Sequence, residues 1–364
     1  MKIGFDVSDL CTNRADGTTR YTMELAKRLP GIGSEHEWLY FAPFDFAHPS
    51  TVSSGSNGGK PWPANVRKVL SPWPKYWTQS RLPWDLYRYH PDVLFMPIQQ
   101  IPFARPKKMK TVAVIHDLAF HIYPEQFTYK DWLLQHVFTA YVARNADKII
   151  AVSQATANDI AKYYDRTENV HVVHHGVNHQ VFRPVEERHP QLSAPYLLYV
   201  GQIQPRKNMI RLVQAFEILY QQEKNLQLVI AGSHGWLNTP IYRYIGVSLA
   251  RSNIIQLGRV GDKLLPALYS HAEVFVLPSL YEGFGMPILE AMACGCPVVT
   301  SNISSMPEVA GEAGILVDPN SVESIAEGIQ EARSRREELQ EKGLQHARQF
   351  TWEKTVQQTG KVLF

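Results

Sequence analysis

Short apolar runs that alternate with helix-length segments constrain this chain more than any other feature. Runs rich in Val and Ile occur at residues 2–7, 111–115, 148–152, 196–200, 226–231, 254–257, 274–277 and 297–300. Strands that are apolar along their whole length, rather than at every second residue, have to be covered on both faces, which is the situation of parallel sheets flanked by helices. The fold class is therefore α/β. No unit of 20 to 50 residues repeats, so a solenoid or propeller is not indicated. At 364 residues the chain exceeds two typical domains of ~150 residues. Residues 183–195 hold Pro184, Pro190 and Pro195 with the charged run Glu186, Glu187 and Arg188, directly ahead of a fresh strand. Placing the linker there predicts two Rossmann-like lobes, 1–185 and 186–349. Ligands of open parallel sheets bind outside the carboxyl ends of the strands, so two such lobes are expected to form an inter-lobe cleft that holds the chemistry.

Composition narrows the class further. With 45% hydrophobic and 20% charged residues the chain is globular rather than disordered. No apolar run approaches the ~18 residues of a membrane-spanning helix. Asp6 and Asp9 stand where a secretory signal would need its apolar segment, and three cysteines, Cys11, Cys294 and Cys296, make neither a disulfide framework nor a four-ligand zinc site. A cytoplasmic protein is expected. Residues 42–64, with Pro43, Ser53, Ser54, Gly55, Gly58, Gly59 and Pro61, read as a long surface loop.

The formal charge of +3 hides an uneven distribution. Between Lys60 and Lys110 ten basic residues (Lys60, Arg67, Lys68, Lys75, Arg81, Arg88, Arg105, Lys107, Lys108 and Lys110) face only Asp85 and Asp92, and Trp62, Trp73, Trp77 and Trp84 fall in the same stretch. Basic residues mixed with Trp attract an anionic membrane surface or an anionic ligand; the bland alternative is a solvated rim whose Trp side chains pack inward. A nucleic-acid partner is not expected.

Two strand ends carry chemistry. After the run 274–277 the chain continues Pro278, Ser279, Leu280, Tyr281, Glu282, Gly283, Phe284, Gly285, Met286, Pro287, Ile288, Leu289, Glu290. Two glycines turn the loop and Pro287 fits a first helical position, so a helix begins there and offers unpaired N–H groups to an anion. Glu282 in the loop and Glu290, expected in the first helical turn, can face one ligand, and a carboxylate accepts paired hydrogen bonds from the vicinal hydroxyls of a sugar or ribose. The second strand end is Gly201, Gln202, Ile203, Gln204, Pro205, Arg206, Lys207, Asn208. Paired cations at such a turn would neutralise a diphosphate without a metal, and no Asp-x-Asp triplet occurs to hold one. In the first half, Val114-Ile115-His116-Asp117 ends a buried strand and aims His116 and Asp117 at the cleft, although a lone strand-end His is often structural. Ser153 reads as a helix N-cap, His174 and His175 show no metal spacing, and Cys294 and Cys296 read as packing residues.

The paired-glutamate stretch, Pro205-Arg206-Lys207-Asn208, residues 297–301 and Ser304-Ser305-Met306-Pro307-Glu308 together resemble family four of the retaining glycosyltransferases, which have the two-lobed GT-B fold. The resemblance spans nearly the whole chain. It implies that the second lobe binds a nucleotide sugar, with Glu282 facing the sugar, Glu290 the ribose hydroxyls and Lys207 the diphosphate, while Gly201, Gly283, Phe284, Gly285 and Met286 shape the donor site. It places His116 beside the donor sugar, assigns Gly17, Arg20 and Tyr21 to the acceptor side, and implies that the tail 350–364 crosses back to the first lobe. Two departures stand out. Many members carry Arg directly after the strand-end glycine where this chain has Gln202, which leaves Arg206 as the candidate replacement. The helix start Asp16-Gly17-Thr18-Thr19-Arg20-Tyr21 also has fewer glycines than the family usually shows.

The activity thus implied is transfer of a hexose, with retained configuration, from a nucleoside diphosphate sugar to a saccharide or lipid-linked acceptor in polysaccharide biosynthesis. A UDP-sugar such as UDP-glucose is the favoured donor and GDP-mannose the alternative, with no cofactor and no metal. The rival readings are a sugar-nucleotide epimerase of the same fold and a non-catalytic sugar- or lipid-surface-binding module.

Overall fold

The structure is a computed structural model that describes residues 1–11, 17–46, 62–73, 75–192, 194–233, 235 and 237–364. Asp16, Lys60 and the part 47–61 of the long loop expected from the sequence lie outside the described residues. The chain divides into two compact units, one of Met1–His121, Phe127–His175 and Trp352–Phe364, the other of Ile122–Gln126 and Gly176–Thr351.

The first unit is built on a parallel sheet of seven strands, β1 (Lys2–Asp6), β2 (Glu37–Ala42), β3 (Val66–Leu70), β4 (Val93–Met96), β5 (Lys110–Ile115), β6 (Lys148–Ala151) and β7 (Val170–Val172), in the order β3-β2-β1-β4-β5-β6-β7. Of its central strands, β2 and β4 are missed by the apolar runs singled out in the sequence, whereas β1, β5 and β6 are among those runs. The edge strands β3 and β7 are not among them, because Arg67, Lys68 and His171 interrupt their apolar character at the solvated margin. The tail helix Trp352–Leu363 packs against the helix Gly17–Ile32, with Arg28 Nε 3.1 Å from Glu353 Oε1. Close approach there depends on glycine: a Cβ on Gly360 would lie 2.6 Å from Ile32 Cδ1.

The second unit has a parallel sheet of six strands, β8 (Tyr196–Val200), β9 (Gln227–Ala231), β10 (Ile254–Gly258), β11 (Val274–Leu277), β12 (Val298–Ser301) and β13 (Gly314–Val317), in the order β10-β9-β8-β11-β12-β13. The strand order reverses between β8 and β11, which pair through Val274 with Leu197 and Phe275 with Leu198. This switch point brings the loop after β8 and the loop after β11 side by side, the place where open α/β sheets bind ligands. The change of unit comes at Gly176, ahead of the proline-rich segment where the sequence placed it. The reason is packing. That segment already belongs to the second unit, with Val185 N donating to Ser270 Oγ at 3.1 Å and the rings of Phe182 and Tyr269 6.2 Å apart.

No helix among the described residues is long and apolar enough to cross a membrane.

Candidate active site

The two loops at the switch point of the second sheet are joined through backbone and side chains. Leu280 N donates to Arg206 O at 2.8 Å, and Asn208 Nδ2 donates to Pro278 O at 2.9 Å and to Pro319 O at 2.6 Å. Asn208 has the left-handed backbone (φ 60°) that Asn tolerates well, which ends the short turn Pro205–Lys207 and starts the helix Met209–Gln222. Gly285, at φ 98°, plays the same part before the helix Met286–Ala293, in which Pro287 occupies an early position free of intrahelical hydrogen-bond demand. Glu290 is therefore the fifth residue of that helix, just past the first turn in which the sequence placed it.

At the centre is the Glu282 carboxylate. Lys207 Nζ donates to Oε1 at 2.5 Å, Ser279 Oγ donates to Oε1 at 2.6 Å, and Arg206 Nη1 lies 3.2 Å from Oε2 while also donating to Tyr281 O at 2.9 Å. Burial by itself raises a carboxyl pKa, but Lys207, Arg206 and the Ser279 hydroxyl outweigh it and hold Glu282 down at about 2. The loop backbone is fixed as firmly as the side chain. Ser304 Oγ donates to Glu282 O at 2.6 Å, Ser305 Oγ lies 2.9 Å from the carbonyl oxygens of Glu282 and Phe284, and Ser301 Oγ donates to Ser279 O at 2.6 Å. These serines supply the polar partners that a buried, strandless loop requires. Phe284 is buried in this arrangement beside Gly283 and Gly285, with its ring 6.4 Å from Phe350.

Glu290 is also buried, and Tyr269, fully enclosed in the helix Leu265–His271, donates its hydroxyl to Glu290 Oε2 at 3.1 Å. Tyr269 is a functional candidate that motif reading missed. It lies 21 residues upstream of Glu290 in a helix whose residue types carry no chemical signal, and only the packing of two helices joins them. Tyr123 is a second one: it sits in the segment Ile122–Gln126 of the second unit and donates to Leu280 O at 3.3 Å.

Gly201 takes part by close backbone approach, since a Cβ on the neighbouring Gly232 would fall 1.8 Å from Gly201 O. Gln202 gives its carbonyl to the Tyr199 hydroxyl at 3.1 Å. Next to this loop, at the carboxyl ends of β8, β9 and β10, is a cavity of about 300 Å³ lined by Ile203, Gly232, Tyr242, Gln256, Leu257 and Gly258.

The residues singled out in the first unit form a different kind of cluster. His116, after β5, has Nε2 2.7 Å from Pro97 O, and Asp117 accepts from Ala119 N at 3.1 Å. Gly17 is the first residue of the helix Gly17–Ile32 and Arg20 is half-buried. Tyr21, expected on the acceptor side, is completely buried and has no surface to offer an acceptor. It faces inward on its helix, its ring 5.2 Å from that of His116, 4.7 Å from His175 and 6.2 Å from Trp352. Burial, followed by the neighbouring His116 and His174, keeps the His175 pKa well below the usual histidine value. Ser153 caps the helix Gln154–Tyr164 by accepting from Thr156 N at 3.0 Å, and Cys294 and Cys296 are buried.

The basic, Trp-rich stretch is divided. Trp77 is buried and donates its indole N–H to Ser71 O at 3.0 Å, and Trp62 packs its ring 5.2 Å from Tyr40. Trp73, Tyr76, Trp84, Tyr87 and Phe103 are exposed, as are Lys75, Arg88, Lys107 and Lys108, whereas Lys110 is paired with Asp147 at 3.0 Å.

Comparison with known proteins gives this geometry a context. The profile described as Glycosyltransferase Family 4 matches residues 15–181, and the profile described as Glycosyl transferases group 1 matches residues 185–350. O-antigen chain mannosyltransferase B of Escherichia coli is 30% identical over 370 residues, which cover 94% of each chain. The chain belongs to the group 1, family four glycosyltransferases. Its fold is GT-B, the architecture of two Rossmann-like units. Among solved structures, sucrose-phosphate synthase from Thermosynechococcus elongatus superposes with a TM-score of 0.78 at 21% identity, covering 99% of this chain and 98% of that one. The Anabaena protein Alr3699/HepE in complex with UDP-glucose does so with a TM-score of 0.75 at 18% identity, covering 100% and 99%. This glycosyltransferase thus carries three of the residues expected of a donor site, Arg206, Lys207 and Glu282, on two touching loops at one switch point, and the fourth, Glu290, in the helix that follows the second loop.

Proposed function

We propose that this glycosyltransferase moves a hexosyl group, mannose in the first place, from a nucleoside diphosphate sugar to a saccharide or lipid-linked acceptor in polysaccharide biosynthesis. The observation that carries the reading is the convergence of Arg206 and Lys207 on one buried point beside Glu282, with a cavity large enough for part of a nucleoside adjoining the same loop. Mannose is put first because the 30% identical relative is a mannosyltransferase. UDP-glucose, the ligand named for the Anabaena structure, is the second donor to test.

In this reading the two cations meet the charge that grows on the diphosphate as the glycosidic bond breaks, and such preorganised groups, stronger in the transition state than in the ground state, lower the barrier most. Two full positive charges and a helix start perform the neutralisation, so the transfer needs no metal. Glu290, steadied by Tyr269, takes the ribose hydroxyls and Glu282 those of the sugar. Retention of configuration follows from attack on the face the diphosphate leaves, its oxygen accepting the acceptor's proton. The exposed Trp73, Trp84 and Tyr87 with Lys75, Arg88, Lys107 and Lys108 suit peripheral contact with an anionic membrane, where a lipid-linked acceptor would be found.

The test is nucleotide release from GDP-mannose, UDP-glucose and other nucleotide sugars, with and without a saccharide acceptor. Release that depends on both one donor and the acceptor is expected. Release from a donor with no response to any acceptor would replace transfer by the epimerase reading, and no release from any donor would leave a binding module.

A further inference from the structure

Arg206 and Lys207 are the groups that the proposed reading gives to the donor diphosphate, and in the structure both already have an anionic partner. The Glu282 carboxylate, with only 8% of its side chain exposed, lies within 3.2 Å of Arg206 and 2.5 Å of Lys207. Its backbone is fixed by Ser304 and Ser305, and the Ser279 hydroxyl holds Oε1 in place beside them. We infer that Glu282 competes with phosphate for these two cations, and that it thereby makes the site select a nucleoside diphosphate that carries a sugar over the bare nucleoside diphosphate. The inference rests on the donor reading above.

The physics is an exchange of partners. When phosphate oxygens draw Arg206 and Lys207, the carboxylate loses some or all of two charged donors and keeps Ser279. A buried carboxylate left short of donors is costly, more so than the net worth of the bonds it loses. Once Lys207 and Arg206 no longer hold its pKa down, burial and the phosphate charge both disfavour the ionised carboxylate, which adds to the cost of the exchange. A donor sugar relieves the deficit, because its hydroxyls stand next to the diphosphate and can donate to the oxygens that the cations have left. The exchange is then balanced, with cation to phosphate on one side and hydroxyl to carboxylate on the other. The bare diphosphate brings no such hydroxyls and an additional negative charge on its terminal phosphate, which adds like-charge repulsion to the unmet carboxylate. One residue thus ranks substrate above product at the same subsite and hastens release of the spent nucleotide after transfer.

The ranking is read by calorimetry without acceptor, titrating GDP and GDP-mannose, and UDP and UDP-glucose, into the full chain and its variants. Glu282→Gln keeps the shape and removes the charge. It is expected to bind the nucleoside diphosphate about tenfold tighter than the parent while gaining nothing for the sugar-bearing form, so the preference collapses. Ser279→Ala works in the opposite sense, since it takes away the donor on which the displaced carboxylate depends; the nucleoside diphosphate should weaken severalfold against its sugar-bearing form. If Glu282→Gln binds the nucleoside diphosphate no tighter than the parent, Glu282 orients the cations rather than competing for them and the inference is overturned. Should that variant fail to fold, as judged by its thermal transition, an unchanged ratio in Ser279→Ala overturns it instead. A parent that turns over no nucleotide sugar refutes the donor reading itself, whereas a parent that turns over its donor alongside variants with unaltered ratios refutes only the competition.

Discussion

The two units are built on the same plan, a parallel sheet with a switch point, yet their strand ends shift carboxyl pKa values in opposite directions. At the end of β8 and β11 the second unit concentrates charge, with Glu282 kept ionised by two cations and a hydroxyl, its pKa at about 2. At the end of β1 in the first unit Asp6 is fully buried, and burial, opposed only by hydrogen bonds from Ser8 and reinforced by the charge of Asp9, pushes its pKa up to about 7. Nearby, His116 and His175 stand among the rings of Tyr21 and Trp352, with His175 held neutral. The difference teaches that the sheet supplies only the place. Whether a carboxyl there is pushed towards its charged or its neutral form depends on the donors that its loops bring to it. In the reading proposed above, the arrangement suits a second unit that meets the donor diphosphate and a first unit that handles the uncharged hydroxyls of an acceptor.

The sharpest attempt to break this contrast is Lys207→Ala. The charge on the diphosphate grows in the transition state, so turnover should fall more than donor affinity, by about ten- to a hundredfold for a lost charged hydrogen bond of roughly 1.5–3 kcal/mol. Steady-state kinetics with the preferred donor check it, and an unchanged kcat with only a raised KM would remove Lys207 from the chemistry. Glu290→Ala should weaken binding of the free nucleoside diphosphate by roughly tenfold, and Tyr269→Phe by a smaller factor in the same direction, because the phenol only steadies the carboxylate. Calorimetry separates the two; equal losses would mean that Tyr269 itself touches the nucleotide.

The pH dependence sharpens the contrast, since the two carboxyl groups act with opposite sign. Asp6 has a folded pKa raised above its unfolded one, so its contribution to stability is fully present below about pH 4 and is lost as the pH rises through about 7. Glu282, with a lowered folded pKa, contributes above about pH 4.5 and loses that contribution as the pH falls towards about 2. Thermal melts of the parent and of Asp6→Asn between pH 4 and pH 8 should therefore converge as the pH falls and differ in slope above it, with the variant losing less on the alkaline side. Parallel curves would show that Asp6 is ionised in the fold.

Smaller effects are expected at the surface. Replacing the exposed Lys107 and Lys108 together with Lys75 by Ser should reduce co-sedimentation with anionic vesicles at low salt, at about 1 kcal/mol for each basic residue near the bilayer, and leave nucleotide affinity unchanged. Absence of vesicle binding by the parent would assign these lysines to a solvated rim. The smallest expected effect is that of EDTA, which should leave transfer intact. Loss of activity restored by a divalent ion would show that two cations do not suffice.

Much of the site could be read from the sequence because its signals are local. Glu282 and Glu290 stand eight apart around a glycine-turned helix start, and Arg206 and Lys207 follow a strand and a proline, so each motif announces its own strand end. The apolar strands β1, β5, β6 and β8 to β12 announce themselves in the same way, since a strand covered on both faces needs no partner to be recognised. What the sequence left open depends on residues far apart in the chain. Seventy-five positions separate Lys207 from Glu282, and their meeting follows from the pairing of β8 with β11, which no spacing reveals. The role of Ser301, Ser304 and Ser305 as the loop's hydrogen-bond partners, the contact of Tyr269 with Glu290 and the burial of Tyr21 were likewise decided by packing, because a side chain's partners are set by which faces the sheet order brings together. By itself the sequence determined the α/β class, the two-unit plan and the chemical types gathered at the loops after β8 and β11. Only the tertiary structure decided that the cations expected to meet a diphosphate are held by Glu282, since charges separated along the chain pair according to distance in the fold and the exclusion of water around them.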